Sequence, residues 1–399
     1  MPSPPPPPSP KGPDPGAFAP RADKTPPLAR PSASIILVSP TNQVLLLHRV
    51  KTSTAFASAH VFPGGNLSTF HDGAVPAPDD AAARHADGLP YRLGAIRETF
   101  EESGILLARR AGCKNGKGDG VGEAVGEGGL LNLPVAERDR ARKAIYENEI
   151  SFGAWLESVG GVADTENLLP FTRWVTPPGP PKRFTTQMYV YMLPLEEEKG
   201  EEEEERDAKR EALIPTPDGG AEITTARFDD VETWLARQRR GDIVLFPPQC
   251  FLLHLLAPFL RGPPPPGPAA LSSRGERMEH YGAQRARLRA FMEAVPTSTQ
   301  PAAAKHATSR IPWAEKVISP VVLGLRAGDG RTILGLDKPG GELRGSGRGG
   351  DWERVVLVRF GKGGPRDVEV RGREEVLAEE REVRTKANEE EAVSSSSKL

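Results

Sequence analysis

Three carboxylates crowd one short stretch of this sequence. In "RLGAIRETFEESGIL", residues 92–106, Glu98, Glu101 and Glu102 stand at i, i+3 and i+4, a spacing that gathers side chains on one helix face. Leu93, Ile96 and Phe100 fall on another stripe at about 100° per residue, so the stretch reads as an amphipathic helix. Unpaired carboxylates in one small volume repel and raise one another's pKa values. A divalent cation removes the repulsion, and oxygen donors favour hard ions such as Mg²⁺ or Mn²⁺ over zinc. Mg²⁺ takes phosphate oxygens readily as its remaining ligands, which points to phosphate chemistry. Glu-Glu pairs are also common on solvated helix faces, so the neighbouring elements must decide.

Those elements are legible. Pro90 suits a first helical turn and Gly104 a C-terminal stop, which bounds the helix. Ahead of it, "SASIILVSPTNQVLLLHRV" reads as a β-hairpin turning at Pro40-Thr41-Asn42, and "SAHVFPGGNL" as a short strand ending in a Pro63-Gly64-Gly65 turn. Residues 71–90 and the Gly- and Glu-rich 111–130 read as loops. "VAERDRARKAIYENEISFGAWLESVG" is helical in its first half and again near 152–159, and "LLPFTRWVTPPGPPKRFTTQMYVYMLP" gives two strands about a proline-rich turn. An acidic run at 196–210 reads as a solvated insertion. "AEITTARFDDVETWLARQRRG" gives strand, cap and helix, and "VLFPPQCFLLHLLAPFL" a buried closing helix.

The order strand, Pro63-Gly64-Gly65, loop, Arg97-Glu98-Thr99-Phe100-Glu101-Glu102-Ser103-Gly104-Ile105 resembles the Nudix box, whose core reads RE, aliphatic, x, EE, x, G, aliphatic. Two departures stand out. Thr99 takes an aliphatic place, and Gly65 to Arg97 spans 97 − 65 = 32 residues, more than twice the spacing of the box. No glutamate lies shortly after Gly65; His71 stands there with Asp72 next, and no role passes to that place. The interrupted box and "PFTRWVTPPGPPKRFTTQMYVY" are similar to the peroxisomal coenzyme A diphosphatase branch of the Nudix family, over about residues 33–260.

The resemblance implies an α+β fold, a Nudix-type α/β/α sandwich with a mixed β-sheet; outside the matched stretch, the apolar runs at 311–371 read as a β-rich C-terminal extension. It implies that Glu98, Glu101 and Glu102 bind Mg²⁺ or Mn²⁺ and that Arg97 fixes a carboxylate rotamer. The implied reaction is attack of a metal-activated water on the diphosphate of coenzyme A or acyl-coenzyme A, giving 3′,5′-ADP and (acyl-)4′-phosphopantetheine. Glu98 and Glu222 are the candidate general bases. Such a substrate needs cations and a stacking surface, and Arg49, Arg173, Lys182 and Arg183, with Trp174 and Phe184 interleaved, are the candidates. His48, His60 and His254 sit among apolar residues and read as core or rim. An NADH or ADP-ribose diphosphatase would use the same box, and a catalytically silent binding module is the alternative from another class.

Composition bounds the rest. In 399 residues, Gly (42) and Pro (41) are well above ordinary usage, so much of the chain is expected to be tail or linker. A formal net charge of −2 gives no pull toward nucleic acid or anionic membranes. Cys113 and Cys250 form no disulfide framework. No run of eighteen apolar residues spans a membrane, since the best candidate is broken by prolines and His254. The expected division is a proline-rich disordered arm (1–31), a hydrolase domain (32–261), a linker (262–310), the β-rich extension (311–371) and a charged tail (372–399). That tail ends in Ser397-Lys398-Leu399, which reads as a peroxisomal import address recognised by its receptor.

Overall fold

The computed structural model describes residues 26–50, 58–112, 129–195, 214–218, 223–263, 271, 273–361 and 363–396. Most of the arm, Cys113, the acidic run, Glu222 and Ser397-Lys398-Leu399 lie outside them.

The first half runs β1 (Arg30–Val38), β2 (Val44–Arg49), β3 (His60–Val61), β4 (Gly64–Asn66), α1 (Leu89–Ser103), β5 (Ala108–Arg110), α2 (Val135–Tyr146), α3 (Phe152–Ser158), β6 (Gly161–Ala163), β7 (Leu169–Val175) and β8 (Phe184–Met192). Then come β9 (Ile223–Asp229), α4 (Val231–Arg239), α5 (Pro247–Leu256) and α6 (Arg274–Glu293). The chain closes with β10 (Val317–Ile318), β11 (Val321–Leu325), β12 (Thr332–Leu336), β13 (Asp351–Gly361), β14 (Gly364–Gly372) and α7 (Arg373–Ser396).

Eight strands form a mixed sheet in the order β10-β7-β8-β1-β2-β3, with β4 also on β1 and β9 also on β2. β1 is parallel to β8 and antiparallel to β2 and β4. The apolar run of β1 reflects burial on both faces. Ile36 and Val38 enter one core, while Ala33, Ile35 and Leu37 enter the other, because successive strand side chains point to opposite faces. The second of these faces carries α1, α2 and α3, and the first carries α4, α5 and α6. The expected α/β/α sandwich with a mixed sheet is observed.

The 262–310 stretch is more than the linker expected of it. Its proline-rich start gives way to α6, twenty residues opened by a capping box of Ser273 and Glu276. Leu288 and Met292, at i and i+4, join the core. Buried Arg285 then pins the helix to the β1–β2 turn by donating to Asn42 Oδ1 (2.8 Å), Leu193 O (2.7 Å) and Ser39 O (2.7 Å). Composition hid a helix whose apolar residues are few but well spaced.

The later strands do two things. β10 extends the main sheet beside β7, and β11–β14 form an antiparallel meander whose Leu334, Leu336, Val356, Val358, Val368 and Val370 pack on the α4–α6 core. Its far face, Ile333, Val355 and Leu357, is covered by Val376 of α7. The charged tail is therefore helical from Arg373, and its first turns are packed. Among the described residues no helix is long and apolar enough to cross a membrane.

Candidate active site

The carboxylate helix α1 has Pro90 in its first turn and ends where Gly104 adopts φ +73°, its N–H donating to Phe100 O at 2.8 Å. Tyr91, Ala95, Ile96 and Phe100 are its buried apolar residues, and Phe100 stacks on Trp155 of α3 with centroids 4.9 Å apart. Leu93, expected on that stripe, is only half-buried. Thr99 is fully buried and donates its hydroxyl to Ala95 O at 2.8 Å, so its polar atom costs little in an aliphatic place.

Arg97 is the organising group. It is buried, and Nη1 donates to Glu98 Oε1 (2.9 Å) and Glu101 Oε1 (3.0 Å). Nε and Nη2 form a two-pronged bond with Asp72, 2.9 Å to each oxygen, and Nη2 also reaches Asn66 O at 3.0 Å. Arg97 thus contacts two of the three glutamates at once. Asp72 is the residue that sequence reasoning left without a role. It arrives one place after the position where the box carries an acid, and the sign was its short distance from Gly65.

Glu102 faces the glycine strand. Its Oε2 accepts from Gly64 N–H at 2.8 Å, and Arg49 Nη1 stands 3.5 Å from Oε1. Gly65 is required here for space, since a Cβ would lie 2.4 Å from the carboxyl carbon of Glu98. β4 and α1 therefore hold Glu98 and Glu102 against a bare stretch of backbone.

As placed, no three acidic, histidine or cysteine side chains among the described residues form a ready coordination set. The chemistry of the donors nevertheless fits a divalent cation. Four carboxylates (Asp72, Glu98, Glu101, Glu102) meet two guanidiniums (Arg97, Arg49), so these ion-paired groups sum to 2 − 4 = −2. Burial pushes the Glu98 carboxyl up to about 7, against the pull of Arg97. Glu98, Glu101 and Glu102 would hold the ion, which when bound lowers the pKa of a coordinated water and offsets phosphate charge.

A pH dependence follows. Because the folded-state pKa of Glu98 is raised, the folded chain keeps a proton that the unfolded chain has released between about pH 4.5 and pH 7. This stabilisation is present below that window and is lost as pH rises through it. A cation binds the deprotonated form, so Mn²⁺ should raise the melting temperature more at about pH 8 than at about pH 5. Differential scanning fluorimetry would measure this, and an equal rise at both pH values would count against the site.

The candidate substrate cations scatter. Arg49 lies at the cluster, and Ile223, which follows Glu222, is its register partner across β2–β9. Lys182 is exposed on the β7–β8 turn. Arg183 is buried, ion-paired with Glu342 at 2.5 Å and donating to Thr176 O (3.0 Å) and Pro27 O (2.9 Å). Arg173 is almost wholly buried and donates to Arg84 O (3.1 Å) and Ala86 O (2.7 Å), with Tyr91 under its guanidinium. Its role is to hold the insertion of the box, where Tyr91 and His85 also anchor, to Arg84 O and to Thr185. Trp174 belongs to the α4–α6 core, on the face away from α1, so it offers no stacking surface there. His48 and His60 stack 4.7 Å apart, burial lowers His60 to about 4, and His254 is exposed.

No family model matches the chain. It is 28% identical over 251 residues to acyl-coenzyme A diphosphatase NUDT19 of Gallus gallus, covering 54% of this chain and 61% of that protein. It is also 28% identical over 165 residues to a Caenorhabditis elegans protein assigned to the nudix hydrolases, covering 41% of this chain and 44% of that one. The matches thus span less than two thirds of either curated relative. A solved NUDIX hydrolase from Alicyclobacillus acidocaldarius aligns with a TM-score of 0.41 at 22% identity, over 58% of this chain and 91% of that one.

Proposed function

We propose that this chain, a Nudix superfamily member resembling the coenzyme A diphosphatase branch, hydrolyses the diphosphate of coenzyme A or acyl-coenzyme A with Mg²⁺ or Mn²⁺. The products would be 3′,5′-ADP and (acyl-)4′-phosphopantetheine. The observation that carries this reading is the acidic cluster itself, Glu98 and Glu101 bonded to Arg97, Glu102 bonded to the Gly64 N–H, and Gly65 seated against Glu98. The name of the Gallus gallus relative supports the choice of substrate.

In this reading Arg97 and Asp72 keep Glu98 and Glu101 in place, and Gly64 N–H does the same for Glu102. Arg49, beside Glu102, is the cation assigned to the diphosphate. Glu98, held near neutrality by burial, is the described residue best suited to take a proton from the attacking water; Glu222 is the other candidate. Arg173 and Arg183, committed to main-chain carbonyls and Glu342, are not assigned to substrate.

Purified protein with Mg²⁺ should hydrolyse coenzyme A or acetyl-coenzyme A in preference to NADH and ADP-ribose. If NADH or ADP-ribose were cleaved far faster than any coenzyme A species, the substrate assignment would fall while the hydrolase reading stood. Peroxisomal import through Ser397-Lys398-Leu399 is proposed as well. A fluorescent protein fused ahead of the chain should collect in peroxisomes, and removal of the tripeptide should disperse it.

A further inference from the structure

The last turn of α1 is held by groups from outside the box. A helix leaves its final carbonyls without helical partners, and here Glu101 O, Ser103 O and, just past the helix, Gly104 O are each taken up from outside. Glu101 O accepts two bonds from Arg142 of α2, from Nε at 3.1 Å and Nη2 at 2.8 Å. Ser103 O accepts from Thr216 N–H at 2.8 Å, and Gly104 O from Arg138 Nη1 at 3.2 Å. Arg142 then closes the lock, donating from Nη1 to Thr216 Oγ1 (3.0 Å) and from Nη2 to Thr216 O (3.2 Å). Gly104 leaves the room this needs, because a Cβ there would lie 2.7 Å from Thr216 Oγ1.

We infer that Arg142 is a positioning residue for the Glu101–Glu102 pair, holding the turn that displays both carboxylates in register with Glu98. This rests on the metal-site reading given above. Two features argue for more than a helix cap. The carbonyl that Arg142 grips belongs to Glu101 itself, so fraying of this turn would displace that carboxylate and its neighbour together. Carboxylates in a last turn also meet the negative end of the helix dipole, and two guanidiniums at that end offset it. Arg142 is buried, it also donates to the neutral groups of Thr216, and Asp139 stands 3.5 Å away as its ion-pair partner.

The test uses full-length Arg142→Met, Arg142→Lys and Thr216→Val. Mn²⁺ affinity is read by calorimetry without substrate, and amide hydrogen exchange is read at residues 101–105. Arg142→Met should weaken Mn²⁺ binding about tenfold, the scale of losses when a group behind a metal ligand is removed, and should speed exchange of the Gly104 amide. Arg142→Lys, which keeps the charge but not the fork, should fall between it and the parent. Faster exchange with unchanged Mn²⁺ affinity would make Arg142 a helix cap only and overturn the inference. If Arg142→Met does not fold, Thr216→Val decides by the same criterion, with a weakening of about threefold expected. A parent protein that binds Mn²⁺ while its variants bind it equally well defeats the positioning role alone. A parent protein that binds no Mn²⁺ defeats the metal site and the positioning role together.

Discussion

Glu102→Gln should lower turnover by roughly two to three orders of magnitude while leaving the melting temperature almost unchanged. The amide keeps an oxygen for the Gly64 N–H now bound at 2.8 Å, and it fits the same volume. What it removes is one negative charge from a cluster where four carboxylates meet two guanidiniums. The loss should therefore appear in kcat and in Mn²⁺ affinity. Steady-state kinetics with a Mn²⁺ titration, beside a thermal melt, would measure both. Full activity in a folded Glu102→Gln protein would remove the metal assignment.

Arg97→Met should have the reverse emphasis, a large loss of stability as well as of activity. Its guanidinium is paired with Asp72, whose carboxylate is wholly buried, and also with Glu98 and Glu101. Removing one member of a buried ion pair leaves the other uncompensated, at a cost of about 3–5 kcal/mol. For a chain of this size that lowers the melting temperature by on the order of 10 °C. Arg97→Met combined with Asp72→Asn should recover part of the loss, because it removes the most deeply buried orphan charge. If the double variant were no more stable than the single one, the Asp72–Arg97 pair would not be the main source of the effect.

Much of this site is legible in sequence because its logic is local. The i, i+3, i+4 glutamates, Pro90 and Gly104 all act within one helix, and the helix spans Leu89–Ser103 as the signals require. The apolar run of β1 and the cap-and-helix pattern after β9 are local as well. What escaped depends on contacts distant in sequence. Asp72 reaches Arg97 across 25 residues, and Arg142 grips a carbonyl 41 residues back. Arg173 looked available for substrate because a sequence shows its charge but not the carbonyls of Arg84 and Ala86 folded over it. The α6 helix was concealed by the proline-rich residues before it, although its capping box is itself a sequence signal.

The close seat of Glu98 on Gly65 bears on inherited variation. The nearest atoms that a methyl group at position 65 would meet are the end of a flexible side chain, with the Glu98 carboxyl carbon 2.4 Å away. The fold can give way there by swinging that carboxylate aside, away from Arg97. A Gly65→Ala allele should thus yield normal amounts of a soluble, well-folded protein that does not work. Abundance assays would score it as benign, and only a test of activity would find it.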